Sequence, residues 1–422
     1  MTRPLRIALL SYRGAPHSGG QGVYVRHLSR ELHALGHAVE VFAGPPYPDL
    51  DPGIPLTRLS TLDIFGEPDP FRLPPLHRVR GLADWVEYLD FRYRGNYPEP
   101  LSFSLRALPE LSARRAEFDL VHDNQGLGYG LLGLRWLGLP LVATVHHPVA
   151  IDRDFKLAAT TGADRLGAQR WHRFLGMQGR VARQATSVLT VSAAARAAIV
   201  RRMRVPAERV SVVPLGVDHS VFRPGTGPRV PGRIVVTASA DVPIKGLRTL
   251  LAAVALVRQR IPAELIVVGR AKADSPAAAL LAHPDLAGAV RFQPDLSTER
   301  LAGLLRSAEV VCVPSLFEGF SLPAAEAMAC GTPLVTTTAG ALPEVVGRDE
   351  QAALLVPPAD PDALAAALCR VLGDAELRAR LGAGGVRRAA ELTWRRTALA
   401  TVEHYQRVLP DPACHRSALA DH

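Results

Sequence analysis

The sequence predicts an α/β protein of two domains, each with a parallel sheet covered by helices. The chain has 422 residues, which exceeds the size at which one hydrophobic core usually stops growing. Short apolar runs alternate with segments whose apolar residues recur at helical spacing, a pattern typical of βαβ units. The first such unit is predicted as a strand over 6–12, a helix over 23–36 and a strand over 37–44.

A Pro-, Gly- and Arg-rich break divides the predicted elements into two series. Before it we predict buried strands over 118–125, 139–147, 187–192 and 210–216, with helices over 78–95 and 171–185. The break at 222–233 is interpreted as the interdomain linker. After it we predict strands over 234–240, 263–270, 289–294, 309–315, 332–338 and 352–358, and helices over 247–260 and 393–409. The predicted domains are therefore 1–222 and 223–392, followed by a final helix and tail over 393–422.

Composition and charge narrow the class of protein. The formal net charge is +9, which favours anionic partners such as nucleotide phosphates, nucleic acid or an anionic lipid surface. No nucleic-acid-binding motif accompanies that charge, so we expect no nucleic-acid partner. The four cysteines form no CxxC pair, and the first apolar run, 6–11, is too short for a signal peptide. A reduced, cytoplasmic setting is expected.

The segment EGFSLPAAEAMACG, residues 318–331, carries the most specific chemistry in the sequence. It follows a predicted strand, so it lies at the carboxyl end of a parallel sheet, where such sheets bind ligands. The amides of 319–322 would be the free N–H groups of a helix N-terminus, which attract phosphate. Glu318 could reach a sugar hydroxyl, and Glu326, one turn into the helix, could accept hydrogen bonds from a ribose. This combination indicates a nucleotide-sugar site.

The pattern E-G-F-x-L-P-x-x-E-A-M-A-C-G resembles the donor-site signature of retaining GT-B glycosyltransferases of family 4 (glycosyl transferases group 1). The resemblance extends over nearly the whole chain. It implies two Rossmann-like domains facing a central cleft, with the acceptor on the first domain and a nucleotide-diphosphate sugar on the second. It also implies that Glu318 contacts the transferred sugar and Glu326 the ribose, and that phosphate or sugar binds the loop amides of Gly319, Phe320, Ser321 and Leu322.

Two further stretches resemble the family's donor-binding elements. In 237–251, Lys245 matches a lysine that contacts the donor pyrophosphate. The arginine expected beside it is replaced by Ser239 or Ala240, depending on the alignment of the loop, and Arg248 is one candidate substitute. In the glycine-rich turn after the first strand, Gly19 and Gly20 match a loop that lies against the donor phosphate and the acceptor.

A histidine at the end of the strand VATVHHP completes the predicted site. By alignment His146 matches a family histidine that lies beside the transferred sugar, with His147 as the alternative. The predicted catalytic residues are therefore His146, Lys245 and Glu318. The resemblance implies that no metal or other cofactor is required, and the Asp49–Asp51 pair is interpreted as an ordinary loop feature rather than a metal site.

The acceptor is left open between a small molecule, a glycan and a lipid-linked compound. Arg-rich stretches at 72–94 and 165–183 fit either a solvated helix face or peripheral contact with the inner face of a membrane. Because the usual arginine is absent, two alternatives stay open: a GT-B enzyme of altered chemistry, such as a nucleotide-sugar epimerase or phosphorylase, and a non-catalytic nucleotide-sugar-binding protein.

Overall fold

The computed structural model describes residues 3–15, 20–66, 70–238, 242–271 and 278–409. The contacts between residues divide the chain into two compact units. Unit 1 comprises Met1–Val191, Arg196–Val213 and Arg395–His422, and unit 2 comprises Ser192–Ala195 and Pro214–Trp394. The domain boundaries at residues 222 and 392 stay a prediction.

Unit 1 is built on a seven-stranded parallel sheet with the strand order β3-β2-β1-β4-β5-β6-β7. Its strands are β1 (Arg6–Ser11), β2 (Ala38–Ala43), β3 (Leu56–Arg58), β4 (Leu120–Asn124), β5 (Leu141–Val145), β6 (Ser187–Thr190) and β7 (Val210–Val212). The helices along this part of the chain are α1 (Gly20–Ala34), α2 (Leu82–Leu89), α3 (Glu99–Ala113), α4 (Ala150–Ala158), α5 (Gly162–Trp171), α6 (Phe174–Gln184) and α7 (Ala193–Met203). The strand order reverses between β1 and β4.

Unit 2 has a six-stranded parallel sheet with the order β10-β9-β8-β11-β12-β13. Its strands are β8 (Val230–Thr237), β9 (Glu264–Val268), β10 (Val290–Gln293), β11 (Ala308–Val313), β12 (Leu334–Thr337) and β13 (Leu354–Val356). The remaining helices are α8 (Leu247–Arg258), α9 (Ala278–Leu281), α10 (Thr298–Ser307), α11 (Leu322–Ala329), α12 (Leu342–Val346), α13 (Pro361–Gly373), α14 (Ala375–Ala389) and α15 (Trp394–Val408). The strand order reverses between β8 and β11.

Both sheets confirm the predicted fold class. They also explain why apolar and polar residues do not alternate along the strands. Helices cover both faces of a parallel sheet, so side chains on either side of a strand are buried. In β11, Val310, Val311 and Cys312 are all 1% exposed or less. Cys312 is therefore a small core residue, and burial raises the pKa of its thiol well above the ordinary value.

The interpretation of 222–233 as linker was wrong at its carboxyl end, because β8 already begins at Val230. Gly232 is a strand residue with φ +71°, and a Cβ there would lie 2.3 Å from the carbonyl oxygen of Pro262. The glycine permits this close approach of two backbones. Gly232, which in the sequence indicates a break between elements, is therefore part of the sheet.

Between residues 45 and 171 the sequence missed several elements. Strand β3 and helices α3, α4 and α5 were not predicted. Proline at position 109 lies inside α3, which tertiary packing maintains despite the missing N–H. The predicted helix over 78–95 forms as α2 followed by a π-helical turn at Asp90–Arg94.

Helix α15 follows unit 2 in the chain but packs, from Arg395 onward, in unit 1. Tyr405 is fully buried there, and its hydroxyl lies 2.5 Å from Nδ1 of His122 on β4. The neighbouring His404 places Nε2 2.8 Å from Oγ of Ser187 on β6. The last helix therefore closes the core and the polar interior of unit 1.

Replacing Tyr405 by Phe tests this closure. The variant keeps the ring and leaves a buried His122 nitrogen without its partner, so the free energy of unfolding should fall by about 1–3 kcal/mol. Urea unfolding followed by circular dichroism measures it. The control is Tyr93→Phe, because Tyr93 is 74% exposed and should change stability by less than about 0.5 kcal/mol. Equal stabilities for the two variants would contradict a structural role for the Tyr405 hydroxyl.

Candidate active site

The candidate donor site of unit 2 lies where its strand order reverses. The loops that leave β8 and β11 begin at neighbouring carboxyl ends and depart in opposite directions, which opens a crevice beyond the sheet. Lys245 lies on the first loop and Glu318 on the second. This edge of an open parallel sheet is the usual position for a ligand.

Lys245 and Glu318, which are predicted from separate motifs, form an ion pair. Nζ of Lys245 lies 2.8 Å from Oε1 of Glu318. The hydroxyl of Ser315 donates to the same carboxylate oxygen at 2.7 Å. The Glu318 side chain is 9% exposed and that of Lys245 34%, so the pair is partly shielded from water. No described residue donates to Oε2 of Glu318, so this oxygen is left for a further donor, such as a sugar hydroxyl.

Close backbone contacts fix the loops that carry this pair. The amide of Leu316 donates to the carbonyl of Ile244 at 2.7 Å, which joins the two loops directly. Gly246 has φ +70°, and a Cβ there would lie 1.9 Å from the carbonyl oxygen of Pro314. Gly340 has φ +58°, and a Cβ there would lie 2.3 Å from the carbonyl oxygen of Glu318. Glycine is required at both positions. This explains why a glycine directly follows Lys245 in the sequence.

The amides predicted to bind phosphate precede and open helix α11. Among the residues that the structure describes, the N–H groups of Gly319, Phe320, Ser321 and Leu322 make no backbone hydrogen bond. Ser321 is the N-cap of the helix, with φ +92°, and its hydroxyl accepts from the amide of Ala324 at 3.4 Å. A non-glycine residue in this region of φ/ψ space is strained, and such strain is typical of ligand-binding turns. The free amides and the helix dipole together favour an anion.

Glu326 lies on the second turn of α11 and is half-buried among buried neighbours. Burial raises the pKa of its carboxyl from 4.5 to about 7. The carboxyl makes no hydrogen bond to any residue in the described part of the chain, so it is available to a ligand. Burial without a partner destabilises the charged carboxylate, and a hydrogen bond from a ligand hydroxyl would offset that cost.

Two predicted donor-site residues, Gly19 and Ser239, lie outside the described residues, as does Ala240, the alternative to Ser239. Arg248, the candidate substitute for the missing arginine, is exposed in the first turn of α8. No ion pair is recorded for its guanidinium within the described ranges. It therefore remains available to an anionic ligand.

His146 follows strand β5 in unit 1, and a single side chain fixes its orientation. Asn124 at the end of β4 donates from Nδ2 to the carbonyl of Gln21 at 3.3 Å, so its Oδ1 faces Nε2 of His146 at 2.7 Å. Nε2 must then carry the proton and Nδ1 keeps its lone pair. Burial lowers the pKa of His146 to about 4, so the ring is neutral at pH 7.

A buried chain of hydrogen bonds supports the histidine from behind. The ring of Tyr24 stands edge-on to His146, with centroids 4.5 Å apart, and its hydroxyl lies 3.0 Å from Oγ1 of Thr144. The same oxygen lies 2.6 Å from Nε2 of His122, whose other nitrogen meets Tyr405. Burial lowers the pKa of His122 to about 3. The chain thus joins α15, β4, β5 and α1 behind His146.

Gly20 begins helix α1, the helix that carries Gln21 and Tyr24, so the structure joins the glycine-rich turn to His146 through Asn124. The alternative histidine, His147, instead places Nε2 2.5 Å from Oδ2 of Asp152. Asp49 and Asp51 both pair with Arg26, at 3.4 and 3.1 Å. No cluster of three metal-ligating side chains occurs among the described residues.

Sequence reasoning missed the polar residues that hold His146. Asn124 follows the apolar part of FDLVHDNQ, and Gln125 accepts from the amide of His146 at 2.7 Å. Two amide side chains directly after a buried strand were a signal for this network. The structure also shows that α2 exposes Leu82 and Trp85. Membrane contact there stays a prediction, and within the described ranges no helix is both long and apolar enough to span a bilayer.

With this geometry in place, comparison with known proteins identifies the family. The model for glycosyltransferase family 4 matches residues 18–221, and the model for glycosyl transferases group 1 matches residues 231–374. The chain belongs to the GT-B glycosyltransferases of family 4, and it is an enzyme of the glycosyltransferase class.

Two curated relatives span almost the whole chain. MMP alpha-(1->4)-mannosyltransferase of Mycolicibacterium hassiacum is 51% identical over 407 residues, which cover 96% of this chain and 98% of the relative. D-inositol 3-phosphate glycosyltransferase of Frankia alni is 32% identical, with 95% and 97% covered. Neither relative supports the epimerase or phosphorylase alternative or a non-catalytic role.

Solved structures confirm the fold. Sucrose-phosphate synthase of Thermosynechococcus elongatus has a TM-score of 0.73 and 26% identity, with 96% of this chain and 99% of that chain covered. The glycosyltransferase WaaG has a TM-score of 0.66 at 16% identity, a likeness of fold alone. The GT-B architecture predicted from the sequence is therefore confirmed.

Replacing Gly246 by Ala should disturb the Lys245 loop. The left-handed φ and the 1.9 Å approach to the Pro314 carbonyl leave no room for a Cβ, so we expect a destabilisation of about 1–3 kcal/mol. Thermal unfolding measures it. The control is Gly303→Ala within α10, which should be neutral or stabilising by about 0.5–1 kcal/mol, since alanine favours helices. A stable Gly246→Ala variant would contradict the described loop packing.

Replacing Glu326 by Gln should give two effects of opposite sign. The folded carboxyl binds its proton more tightly than the unfolded one, so its contribution to stability is present below about pH 4.5 and lost as the pH rises through about 7. Gln has no proton to lose. The variant should therefore have a higher Tm than the parent at pH 8, with a smaller difference at pH 4.5, yet bind nucleotide more weakly. A Tm difference that does not change with pH would count against the buried carboxyl.

Proposed function

We propose that the chain transfers a mannosyl residue from a nucleotide-diphosphate sugar to an acceptor hydroxyl, with retention of anomeric configuration. The observation that carries the proposal is the Lys245–Glu318 pair at the strand-order reversal of unit 2, beside the unengaged amides of residues 319–322. One cation and several N–H donors suit a diphosphate. A shielded carboxylate with a free oxygen suits a sugar.

Each donor-site residue has a proposed role. Lys245 balances the charge that develops on the leaving diphosphate, and the amides of Gly319, Phe320, Ser321 and Leu322 donate to its oxygens or to the sugar. Glu318 accepts hydrogen bonds from hydroxyls of the transferred sugar. Glu326 accepts from the ribose, which compensates its buried carboxylate. Gly20, with Gly19, is proposed on the resemblance alone to approach the phosphate.

The proposed reaction breaks the bond between the anomeric carbon and the diphosphate oxygen and forms one from that carbon to the acceptor oxygen. The acceptor proton passes to an oxygen of the departing diphosphate. In this front-face process the departing diphosphate takes the acceptor proton, so Glu318 acts by hydrogen bonding to the sugar and not as a nucleophile. His146 is proposed, from the resemblance, to contact the transferred sugar. Its neutral ring offers the Nδ1 lone pair to a hydroxyl.

The relative named as an alpha-(1->4)-mannosyltransferase supports mannose as the sugar, since it is 51% identical over 96% of this chain. We extend its linkage to this chain as part of the proposal, with a saccharide as acceptor. Metal-independent transfer is also proposed: Lys245, the helix terminus and Arg248 supply the positive charge. Addition of a chelator should accordingly leave the rate unchanged.

A panel of nucleotide sugars tests the reaction. Each donor is incubated with the protein, with and without saccharide acceptors, and the released nucleotide is measured. We expect acceptor-dependent release from a nucleotide mannose, and the one-bond carbon–proton coupling at the anomeric carbon of the product, measured by NMR, should report an α linkage from an α donor. Release from no donor, or a β product, would contradict the proposed reaction.

Two substitutions test the donor site separately. Glu318→Gln and Lys245→Ala should each reduce kcat by about 10²–10³-fold. The second removes the cation that balances the leaving diphosphate, and the first removes the carboxylate that binds the transferred sugar and pairs with Lys245. Matched controls are Glu403→Gln and Lys156→Ala, since both side chains are exposed in unit 1. If the kcat values of both site variants stayed within about threefold of the parent value, no more than the loss of one ordinary hydrogen bond would cause, the donor-site assignment would be wrong.

A further inference from the structure

Unit 1 contains a cavity that the donor chemistry does not use. It lies beyond the end of strand β5, between the start of α4, the start of α6 and the end of α7. Its volume is about 350 Å³, within the range of about 300–1,000 Å³ that is typical of small-molecule sites. It can hold a compound of monosaccharide size.

The wall of this cavity is strongly basic. Four arginines line it, at positions 153, 201, 202 and 204, and the lining includes no Asp or Glu. His147 also lines it, with Nε2 2.5 Å from Oδ2 of Asp152. Asp154, outside the wall, accepts from Arg153 and Arg202, each at 2.8 Å. These two guanidiniums are thereby held at the rim with their charge partly balanced.

Arg201 and Arg204 carry the charge that is not balanced. Both side chains are exposed at the rim, and no ion pair is recorded for either within the described residues. A guanidinium presents several donors in a planar fork that matches phosphate or carboxylate oxygens. Two such groups at one opening make an anion the complementary ligand.

The inner end of the cavity is less polar and reaches toward His146. Leu127, Val145 and Met203 contribute apolar surface there. Gln125 also lines the cavity, and its Oε1 accepts from the amide of His146 at 2.7 Å. A ligand seated in the cavity would therefore touch the side chain that holds the His146 backbone.

We propose that this cavity binds a small organic anion, a phosphate- or carboxylate-bearing compound of about monosaccharide size, with its anionic group between Arg201 and Arg204. All the residues that line it belong to unit 1, and the proposal does not depend on the roles assigned to residues of unit 2. The anion belongs either to the acceptor or to an effector of the enzyme, and kinetics distinguish these two sources.

The methionines provide a direct test of binding. Met203 lines the cavity, whereas Met328 is buried in helix α11 of the donor site. In protein labelled with ¹³C at the methionine methyl groups, mannose 1-phosphate and inorganic phosphate should shift the Met203 signal in a saturable manner. Neutral mannose should not. A shift of Met328 alone would mean that the anion binds only the donor site, and this would overturn the proposal.

Substitutions locate the bound anion. The double variant Arg201→Ala/Arg204→Ala should raise the Kd measured at Met203 by about tenfold or more, since it removes both guanidiniums that donate charge-assisted hydrogen bonds to the anion. The control, Arg78→Ala/Arg170→Ala, removes the same charge from exposed positions of unit 1 and should change the Kd by less than about twofold, as expected for surface charges. Equal Kd values for the two double variants would overturn the proposal.

A second variant fills the cavity instead of changing its charge. Gly176 lies on the wall in helix α6, and a Cβ at this position would meet no atom within 4 Å. Gly176→Phe should fold normally, as its circular dichroism and Tm would show, and should abolish the Met203 shift. Retained binding in this variant would also overturn the proposal.

Steady-state kinetics then identify the source of the anion. Inhibition by mannose 1-phosphate that is competitive with the acceptor assigns the cavity to an anionic acceptor. A change in kcat that persists at saturating acceptor assigns it to an effector. Either pattern supports the site, provided that the Arg201→Ala/Arg204→Ala variant loses it. If the double variant showed the same inhibition or the same change in kcat as the parent, the proposed site would be wrong.

Discussion

The parallel direction of every strand pair is the constraint on which the candidate site depends. Parallel strands bring all their carboxyl ends to one edge of the sheet, and the reversal of strand order separates the loops at one point of that edge. Lys245 and Glu318 are 73 residues apart in sequence and meet there in an ion pair. Gly246 and Gly340 then press neighbouring backbones against the same loop, so the position of Glu318 is set by main-chain contacts as well as by its charge.

Burial acts on the ionisable groups of the two units in different ways. In unit 1 the rings of His122 and His146 lose their positive charge to desolvation, and a chain of neutral hydrogen bonds replaces it. In unit 2 the carboxylate of Glu318 keeps a cation beside it, while Glu326 pairs with no cation among the described residues. Unit 1 thus provides a neutral hydrogen-bond acceptor, the ring of His146, and unit 2 provides the charged Lys245–Glu318 pair.

Much of this could be predicted from the sequence, because the informative residues are local. The strand-loop-helix around Glu318 and the Lys-Gly pair each lie within one short segment, and their positions in a parallel sheet follow from the order of the elements. The hydrogen bonds that orient His146 could not be predicted in the same way. Asn124, Thr144, Tyr24 and Tyr405 come from four elements, and only the packed fold brings them together. The first residues of β8 were missed because glycine indicates a break unless a neighbouring backbone is known to lie against it.

The return of α15 to unit 1 has a consequence for the synthesis of the protein. The residues that fill the interior of unit 1 behind His122 are translated only after all of unit 2. While the nascent chain is still growing, the first unit therefore lacks Tyr405, and a buried nitrogen of His122 on β4 has no partner, whereas domains usually fold in the order in which they emerge. Final closure of the amino-terminal unit has to wait for nearly the whole polypeptide, so the first unit to be made is the last to be completed.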